Sequence, residues 1–200
     1  MSLSVVSIFH NEAARTPAWC DQARSIGDEA VVVDQASTDD TVALLHRHLH
    51  VPVEIGRPFN IRVIHDKCHG YCEASGTFAM SSATSDWLLL LYADETLTQE
   101  FLAKLPECMQ IAAVDCFELR RDNFIGGKQW GQHEFTPRLF RRDAWEWPNK
   151  LHCDPICTTG RKARLPFGIM HSKTDEEQAA DNQRYAQLGT KVGRTDVAAD

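Results

Sequence analysis

Short apolar segments alternate with amphipathic segments through the first hundred residues. Leu3 to Phe9 and Glu29 to Val33 are rich in Val and other apolar residues, and each predicts a strand. Apolar residues at helical spacing follow both segments, beginning near Thr16 and Val42. A third short strand is predicted at Ile61 to Ile64. The alternation predicts an α/β fold, a single Rossmann-like domain whose mostly parallel central sheet is flanked by helices.

The longest unbroken apolar segment runs from Trp87 to Tyr92, and Asp94 and Glu95 follow it. A segment of this kind is typical of a strand that is covered on both faces. In open α/β sheets the ligand crevice lies outside the carboxyl ends of the strands. Acids placed there are suited to hold a divalent cation with the phosphates that it binds.

The connections between these strands are less regular. Pro52 to Asn60 predicts a loop or edge strand, and Tyr71 to Ala83 predicts a helix weakened by Gly and Ser. Thr96 and Gln99 have the spacing of a capping box and predict the start of a helix. Glu95 is expected to be structural, as a cap of that helix.

The second half of the chain has a different pattern. Asp115 to Leu119 and Pro137 to Arg141 predict strands, and most of the remainder is irregular. One further helix is predicted at Glu176 to Leu188, followed by a loosely ordered polar tail over residues 189–200. These features predict a substrate-shaping extension and not a second domain.

Composition narrows the classes of partner. Twenty-one basic and 28 acidic residues give a net charge of −7, which does not indicate binding to nucleic acid. Such binding through a local basic patch stays open. No segment reaches the roughly 18 apolar residues of a membrane span. Seven cysteines without a secretory leader at Met1 to His10 predict reduced thiols and a cytoplasmic location.

Two groups of side chains have alternative explanations. Four cysteines occur as two pairs, and three residues separate the members of each pair. They could form a zinc site, but the favoured interpretation is that they are small buried side chains. These cysteines are Cys68, Cys72, Cys153 and Cys157. A basic group with two tryptophans could contact nucleic acid or a sugar, but arginines on a solvated strand face are the commoner explanation. Its members are Arg138, Arg141, Arg142, Trp145 and Trp147.

Several sequence phrases, taken together in order and spacing, resemble the family 2 glycosyltransferases with the GT-A fold. The phrases are VVSIFHNE at 5–12, DEAVVVDQASTD at 28–39, DWLLLLYADETL at 86–97, PRLFRR at 137–142, and His171 with Arg184 and Tyr185. The resemblance implies one GT-A domain over residues 1–188, with a nucleotide-sugar-binding half at 1–100 and an acceptor-side half at 101–188. It also implies transfer of a sugar, with inversion, from a nucleotide diphosphate donor, UDP-linked by preference, to a hydroxyl acceptor.

The same resemblance assigns candidate site residues. It places Asp34 and Asp39 in the nucleotide pocket, together with Ser37, Asn11, Glu12 and Tyr92. Asp94 stands in the triplet where the family usually has two acids, and Asp94 and His171 are the implied ligands of Mn²⁺ or Mg²⁺ on the donor diphosphate. The acceptor is left open as a glycan, a small molecule or a modified nucleobase.

Three positions depart from the family pattern. Tyr92 replaces the first acid, Gly76 and Thr77 stand where relatives often have Arg-Asn, and the sequence from His152 to Asp154 replaces His-Glu. These departures motivate an alternative function, a catalytically degenerate domain that binds a nucleotide or a partner protein. A nicotinamide or flavin enzyme is set aside, because no G-x-G-x-x-G follows the first strand.

Inverting transfer needs a general base for the proton of the acceptor hydroxyl. Asp154 and Glu134 both lie in the acceptor half and carry suitable carboxylates. Asp154 is preferred, because it follows the strand after which relatives present their acid. The alternative for Asp154 is a structural turn with Pro155.

Overall fold

The computed structural model describes residues 1–49 and 59–188. The tail predicted at 189–200 lies outside these ranges, and so does most of the loop or edge strand predicted between Pro52 and Asn60.

Strands and helices alternate through the first half, as the hydrophobic pattern predicts. They are β1 (Leu3–Phe9), α1 (Thr16–Ile26), β2 (Glu29–Gln35), α2 (Thr41–Leu49), β3 (Asn60–Asp66), a 3-10 turn (Cys72–Ser75), α3 (Gly76–Ser81) and β4 (Trp87–Leu90). The helix predicted from Tyr71 to Ala83 is therefore split into a turn and a short helix. Glycine at position 76 and the serines on either side are poor helix formers, which accounts for the break.

The second half contains more strand than its sequence suggests. Its elements are β5 (Glu95–Leu97), α4 (Gln99–Gln110), β6 (Cys116–Ile125), β7 (Lys128–Gln129), β8 (Glu134–Arg141), β9 (Trp145–Glu146), β10 (Ile156–Cys157), β11 (Lys162–Lys173) and α5 (Asp175–Gln187). The hydrophobic pattern does not predict β11, the longest strand in the described ranges. Its residues alternate between exposed and half-buried through Phe167, so the apolar signal of a buried strand is absent there.

Nine strands of the described residues form one sheet, and eight of them follow the order β3-β2-β1-β4-β8-β6-β11-β5, with β7 beside β6. The strands β3, β2, β1 and β4 pair in parallel. The strand β8 is antiparallel to both β4 and β6, and β11 is parallel to β6. The prediction of a mostly parallel sheet is confirmed, and the carboxyl ends of β1, β2, β4, β6 and β11 meet at one edge.

The strand β4 is covered on both faces, as its sequence predicts. Trp87 and Leu89 pack into one apolar cluster, and Leu88 and Leu90 pack into the cluster on the other face. All four side chains are fully buried. Burial of each leucine stabilises the fold by about 1.5–3 kcal/mol, so this strand anchors the edge at which Asp94 follows.

The start of the helix after β4 was predicted wrongly. Thr98, not Thr96, is the N-cap, and its side chain accepts a hydrogen bond from the Phe101 amide. Glu95 and Thr96 belong to β5, which pairs with β11. Glu95 is structural, as expected, but as the buried partner of arginines and not as a helix cap.

Among residues 1–49 and 59–188, no helix has the length and apolar character needed to cross a membrane.

Candidate active site

A cleft of about 1290 Å³ opens at the carboxyl edge of the sheet. Its walls come from the ends of β1 and β4, from β8 and β11, and from one side of α5. The charged side chains that line it are Glu12, Arg15, Glu73, Asp94, Arg121, Glu134, Arg138, Asp154, Lys173, Glu177, Asp181 and Arg184. Charges of both signs concentrated in one crevice are typical of a site for a charged ligand.

Asp94 lies at the centre of this cleft and is held by two side chains of β11. Its Oδ2 is 3.0 Å from Nε2 of His171 and 3.6 Å from Nζ of Lys173. The other ring nitrogen of His171 is 2.9 Å from Oδ1 of Asn123, which fixes the ring. Burial opposes ionisation of Asp94, but the His171 hydrogen bond and the Lys173 charge outweigh it and hold its pKa well below the usual range.

Glu12, just after β1, faces the same centre. Burial and the nearby Asp94 carboxylate raise the pKa of Glu12 to about 7, against the opposing effect of Arg15. Arg15 donates to Glu12 at 3.2 Å and to Glu177 of α5 at 2.5 Å. A carboxyl group that titrates near neutral pH in a cleft is a candidate functional group.

Arg138 of β8 is buried beneath the cleft, so the expectation of a solvated strand face is wrong for this residue. Its guanidinium donates to Oε1 of Glu95 at 3.0 Å and to Oδ1 of Asp154 at 3.1 Å, and it lies 5.0 Å from the centre of the Tyr92 ring. Thr136 donates to the second oxygen of Asp154 at 3.2 Å. The Asp154 side chain remains half-exposed and lines the cleft.

Tyr92, the residue in place of the first family acid, also lines the cleft. Burial raises the pKa of its hydroxyl well above the ordinary value. Tyr92 is therefore a neutral group and supplies no carboxylate to the centre.

The loop after β2 carries two predicted nucleotide-site residues, Ser37 and Asp39, and Asp34 lies near the end of β2 itself. Hydrogen bonds join this loop to the loop after β1. Asn11 donates its amide to Ser37 Oγ at 2.9 Å and accepts from the Thr38 amide at 2.7 Å. Asn11 lines the cleft, whereas Asp34, Ser37 and Asp39 are not among its lining residues. Asn11 and Ala36 both have positive φ, a strained conformation that often marks functional loops.

Asp34 and Asp39 have different surroundings. Asp34 is 2% exposed, and its Oδ1 has no hydrogen-bond partner among the described residues. Asp39 instead accepts bonds from the amides of Thr41 and Ala13, which stabilise the start of α2. Among the described residues, Oδ1 of Asp34 is therefore an unpaired acceptor, whereas the Asp39 carboxylate already bonds to two backbone amides.

Trp147 packs against Gly76 and Thr77, the two residues that stand where relatives often have Arg-Asn. A Cβ on Gly76 would lie 2.4 Å from the Trp147 ring. The Thr77 hydroxyl donates to the Trp147 carbonyl at 3.0 Å, and the Thr77 amide donates to Oδ1 of Asn149 at 2.9 Å. The space that an arginine would need at position 76 is filled by the indole.

The four cysteines that suggested zinc lie within the described residues and do not form one metal site. Cys68, Cys72 and Cys153 line the cleft, whereas Cys157 lies on β10, 3.5 Å from Thr159. In the part of the chain that the structure describes, no three His, Cys, Asp or Glu side chains come together as a metal site. Cys68 is exposed and the other three are partly buried, so the default of small buried cysteines is also wrong for this set.

The sequence model described as Glycosyl transferase family 2 matches residues 4–165, which include β1, β4 and β8. The chain belongs to this family. An uncharacterized glycosyltransferase of Rickettsia felis (strain ATCC VR-1525 / URRWXCal2) is 37% identical over 98 residues, 49% of this chain and 30% of that protein. The chain therefore matches about a third of the length of this curated glycosyltransferase.

Solved structures show the fold of this family 2 glycosyltransferase chain. S. aureus TarS (residues 1–349), crystallised with UDP-GlcNAc, superposes with a TM-score of 0.61 at 15% identity over 86% of this chain and 59% of TarS. Mannosyl-3-phosphoglycerate synthase from Rubrobacter xylanophilus superposes with a TM-score of 0.60 at 14% identity, over 96% of this chain and 76% of the synthase. The fold is GT-A, as the resemblance implied.

The family resemblance implies a cation at Asp94 and His171, whose side chains lie 3.0 Å apart. One carboxylate and one imidazole suit Mn²⁺ or Mg²⁺ when substrate phosphates supply the remaining ligands. The described residues thus fit a cation in company with a bound diphosphate. Lys173 gives the same carboxylate a resident positive charge.

Neither the hydrophobic pattern nor the resemblance to family 2 predicted the ionic groups around Asp94. Lys173 is two residues after His171, so both side chains emerge on the same face of β11. Glu177 and Asp181 are four residues apart and share one face of α5. These spacings can be read from the sequence. Because β11 was not predicted, however, the sequence did not indicate that these side chains face the cleft.

Proposed function

We propose that this protein transfers a sugar from a nucleoside diphosphate sugar, with UDP as the preferred nucleotide, to a hydroxyl group of an acceptor with inversion. The position of Asp94 carries the proposal. In a family 2 chain with the GT-A fold, this carboxylate follows the central strand and meets His171 in a cleft large enough for a nucleotide sugar. The proposal covers residues 1–188 as one catalytic unit.

Asp34 supports recognition of the nucleotide base. Its buried Oδ1 has no partner in the described residues, and an unpaired buried acceptor is costly unless a ligand donates to it. The imide N–H of uracil is such a donor. TarS, which shares the fold, was crystallised with UDP-GlcNAc. Ser37, Asp39 and Asn11 order the loop beside this acceptor.

In the reaction, an acceptor hydroxyl oxygen attacks the anomeric carbon while the bond from that carbon to the β-phosphate oxygen breaks. The hydroxyl proton passes to a carboxylate of the acceptor side, and the electron pair leaves with the diphosphate. When bound by Asp94 and His171, Mn²⁺ or Mg²⁺ would neutralise part of the leaving charge. Attack from the face opposite the diphosphate inverts the anomeric configuration.

Asp154 and Glu134 are the two candidates for the general base. Asp154 accepts hydrogen bonds from Arg138 and Thr136, and these bonds orient its carboxylate. Glu134 is half-exposed, with Arg121 3.9 Å away. We retain Asp154 as the first choice because it is held in a fixed position on the acceptor side.

Nucleotide binding is the first test. We expect calorimetry with UDP, GDP, CDP and dTDP, in Mn²⁺ and in EDTA, to show selective binding of UDP. Asp34→Asn and Asp94→Asn should each weaken UDP binding by about tenfold or more, because each change removes an acceptor or a charge at the ligand. Asp143→Asn is the matched control, since Asp143 is 94% exposed and lies away from this cleft.

Transfer is tested next with UDP-sugars and a panel of glycan, small-molecule and nucleobase acceptors. Inversion predicts that the product has the anomeric configuration opposite to that of the donor, which NMR measures directly. Selective UDP binding without transfer or slow donor hydrolysis would favour the degenerate binding domain that Tyr92 motivates. Absence of binding to all four nucleotides in both buffers would contradict the proposed donor class.

A further inference from the structure

Two cations of the cleft are paired with carboxylates of α5. Nζ of Lys173 donates to Asp181 Oδ2 at 2.5 Å, and Nη2 of Arg15 donates to Glu177 Oε2 at 2.5 Å. All four side chains line the cleft, and Lys173 also lies 3.6 Å from Asp94. The two cations therefore flank the position at which the donor diphosphate is proposed to lie.

The helix α5 contacts the body of the protein through ionic pairs and a ring contact. None of its thirteen residues is buried. Besides the two ionic pairs, the Tyr185 ring packs 4.7 Å from the ring of His152. The helices α1 and α4, in contrast, place several side chains in the apolar core, so α5 has fewer buried apolar contacts than they have.

The charges of α5 match those of a diphosphate linked to a sugar. Such a diphosphate carries two negative charges, one on each phosphate. Glu177 and Asp181 place two negative charges against Arg15 and Lys173 in the same cleft.

We propose that Arg15 and Lys173 hold the two phosphates of the donor, and that Glu177 and Asp181 of α5 occupy these cations until the diphosphate displaces them. This inference rests on the proposed function. It adds a role during bond cleavage, since a cation beside the β-phosphate stabilises the charge that develops on the leaving group. Displacement also frees α5, whose Tyr185 lies against His152 on the acceptor side of the cleft.

The test compares UDP with UMP, because only UDP reaches the second phosphate position. Calorimetry in Mn²⁺ and in EDTA measures both affinities for Lys173→Met, Arg15→Met, Glu177→Gln and Asp181→Asn. We expect each of the two Met variants to bind UDP about tenfold more weakly, since a charged hydrogen bond to phosphate is lost. The affinity for UMP should change less. We expect the Gln and Asn variants to bind UDP about threefold more tightly, because a competing carboxylate is removed.

The variants are chosen to preserve the fold. Glutamine at 177 keeps the capping box that Glu177 forms with Thr174. Lys104→Met and Glu107→Gln are matched controls, because this exposed 2.9 Å pair on α4 lies outside the cleft. Hydrogen exchange of the α5 amides gives a second measurement, and it should accelerate with UDP and not with UMP.

The possible failures are distinguishable. If the wild-type protein binds none of the four nucleoside diphosphates in either buffer, the proposed function fails. If UDP binds but the Met variants keep the wild-type ratio of UDP to UMP affinity, the assignment of Arg15 and Lys173 is overturned. If Glu177→Gln and Asp181→Asn both weaken UDP, α5 assists binding and does not compete with it.

Discussion

The guanidinium of Arg138 donates to Oε1 of Glu95 at 3.0 Å, and both side chains are almost completely buried. The pair joins β8 to β5 directly beneath the cleft. A second cation, Arg121, lies 3.2 Å from the same Glu95 oxygen. Burial would lower the pKa of Arg138, but Glu95 and Asp154 raise it, so the guanidinium stays charged.

Arg138→Met should therefore destabilise the protein by about 3 kcal/mol, near the lower end of the cost of breaking a buried ion pair, because Arg121 still neutralises Glu95. Urea unfolding measures the change in the free energy of unfolding. The double variant Arg138→Met with Glu95→Gln should recover part of the loss, since Glu95 is then neutral and no longer lacks its second cation. Equal losses in the single and double variants would show that the cost comes from packing alone.

Glu12 should make stability fall as the pH rises toward neutral. Its pKa is about 7 in the folded protein and 4.5 ordinarily, so the folded state favours the protonated carboxyl. The full contribution is present below pH 4.5 and is lost between pH 4.5 and about 7, at a cost of at most about 3 kcal/mol. Glu12→Gln stays neutral, so we expect its unfolding free energy relative to wild type to increase over that range. A constant difference from acidic to neutral pH would contradict the assignment.

Gly76→Ala should destabilise the protein by about 1–3 kcal/mol through overpacking, because its Cβ would collide with the Trp147 ring. Thermal or urea unfolding measures the loss. Combining the change with Trp147→Leu removes the obstructing ring, so the added cost of Gly76→Ala should fall below about 0.5 kcal/mol in that background. An undiminished cost would place the strain elsewhere.

The general base is identified by the rate of transfer at saturating donor. Asp154→Asn should lower kcat by about 10²-fold or more and leave UDP affinity unchanged, because the residue contacts the acceptor side of the cleft. Glu134→Gln is the matched comparison. If Glu134→Gln lowers kcat and Asp154→Asn retains activity, Glu134 is the general base and Asp154 is not.

The order of the first-half elements and the end of β4 were determined by local sequence. A fully apolar strand and its neighbouring amphipathic helices can bury their surfaces in few ways, so the pattern from Leu3 to Leu90 was sufficient to predict the parallel sheet. The family phrases then directed attention to Asp34, Asp94 and His171. Asp94 and His171 do meet, at 3.0 Å, although they are far apart in the sequence.

Only the tertiary structure decided which charges face Asp94. The strand β11 is stabilised by its pairing with β6 and β5 and shows little of the local apolar signal of a strand, so the position of Lys173 could not be read from sequence. The buried state of Arg138 likewise depends on Glu95, a partner 43 residues away. Local patterns specify strands and helices, whereas ionic partners are selected by long-range contacts that form when the sheet assembles.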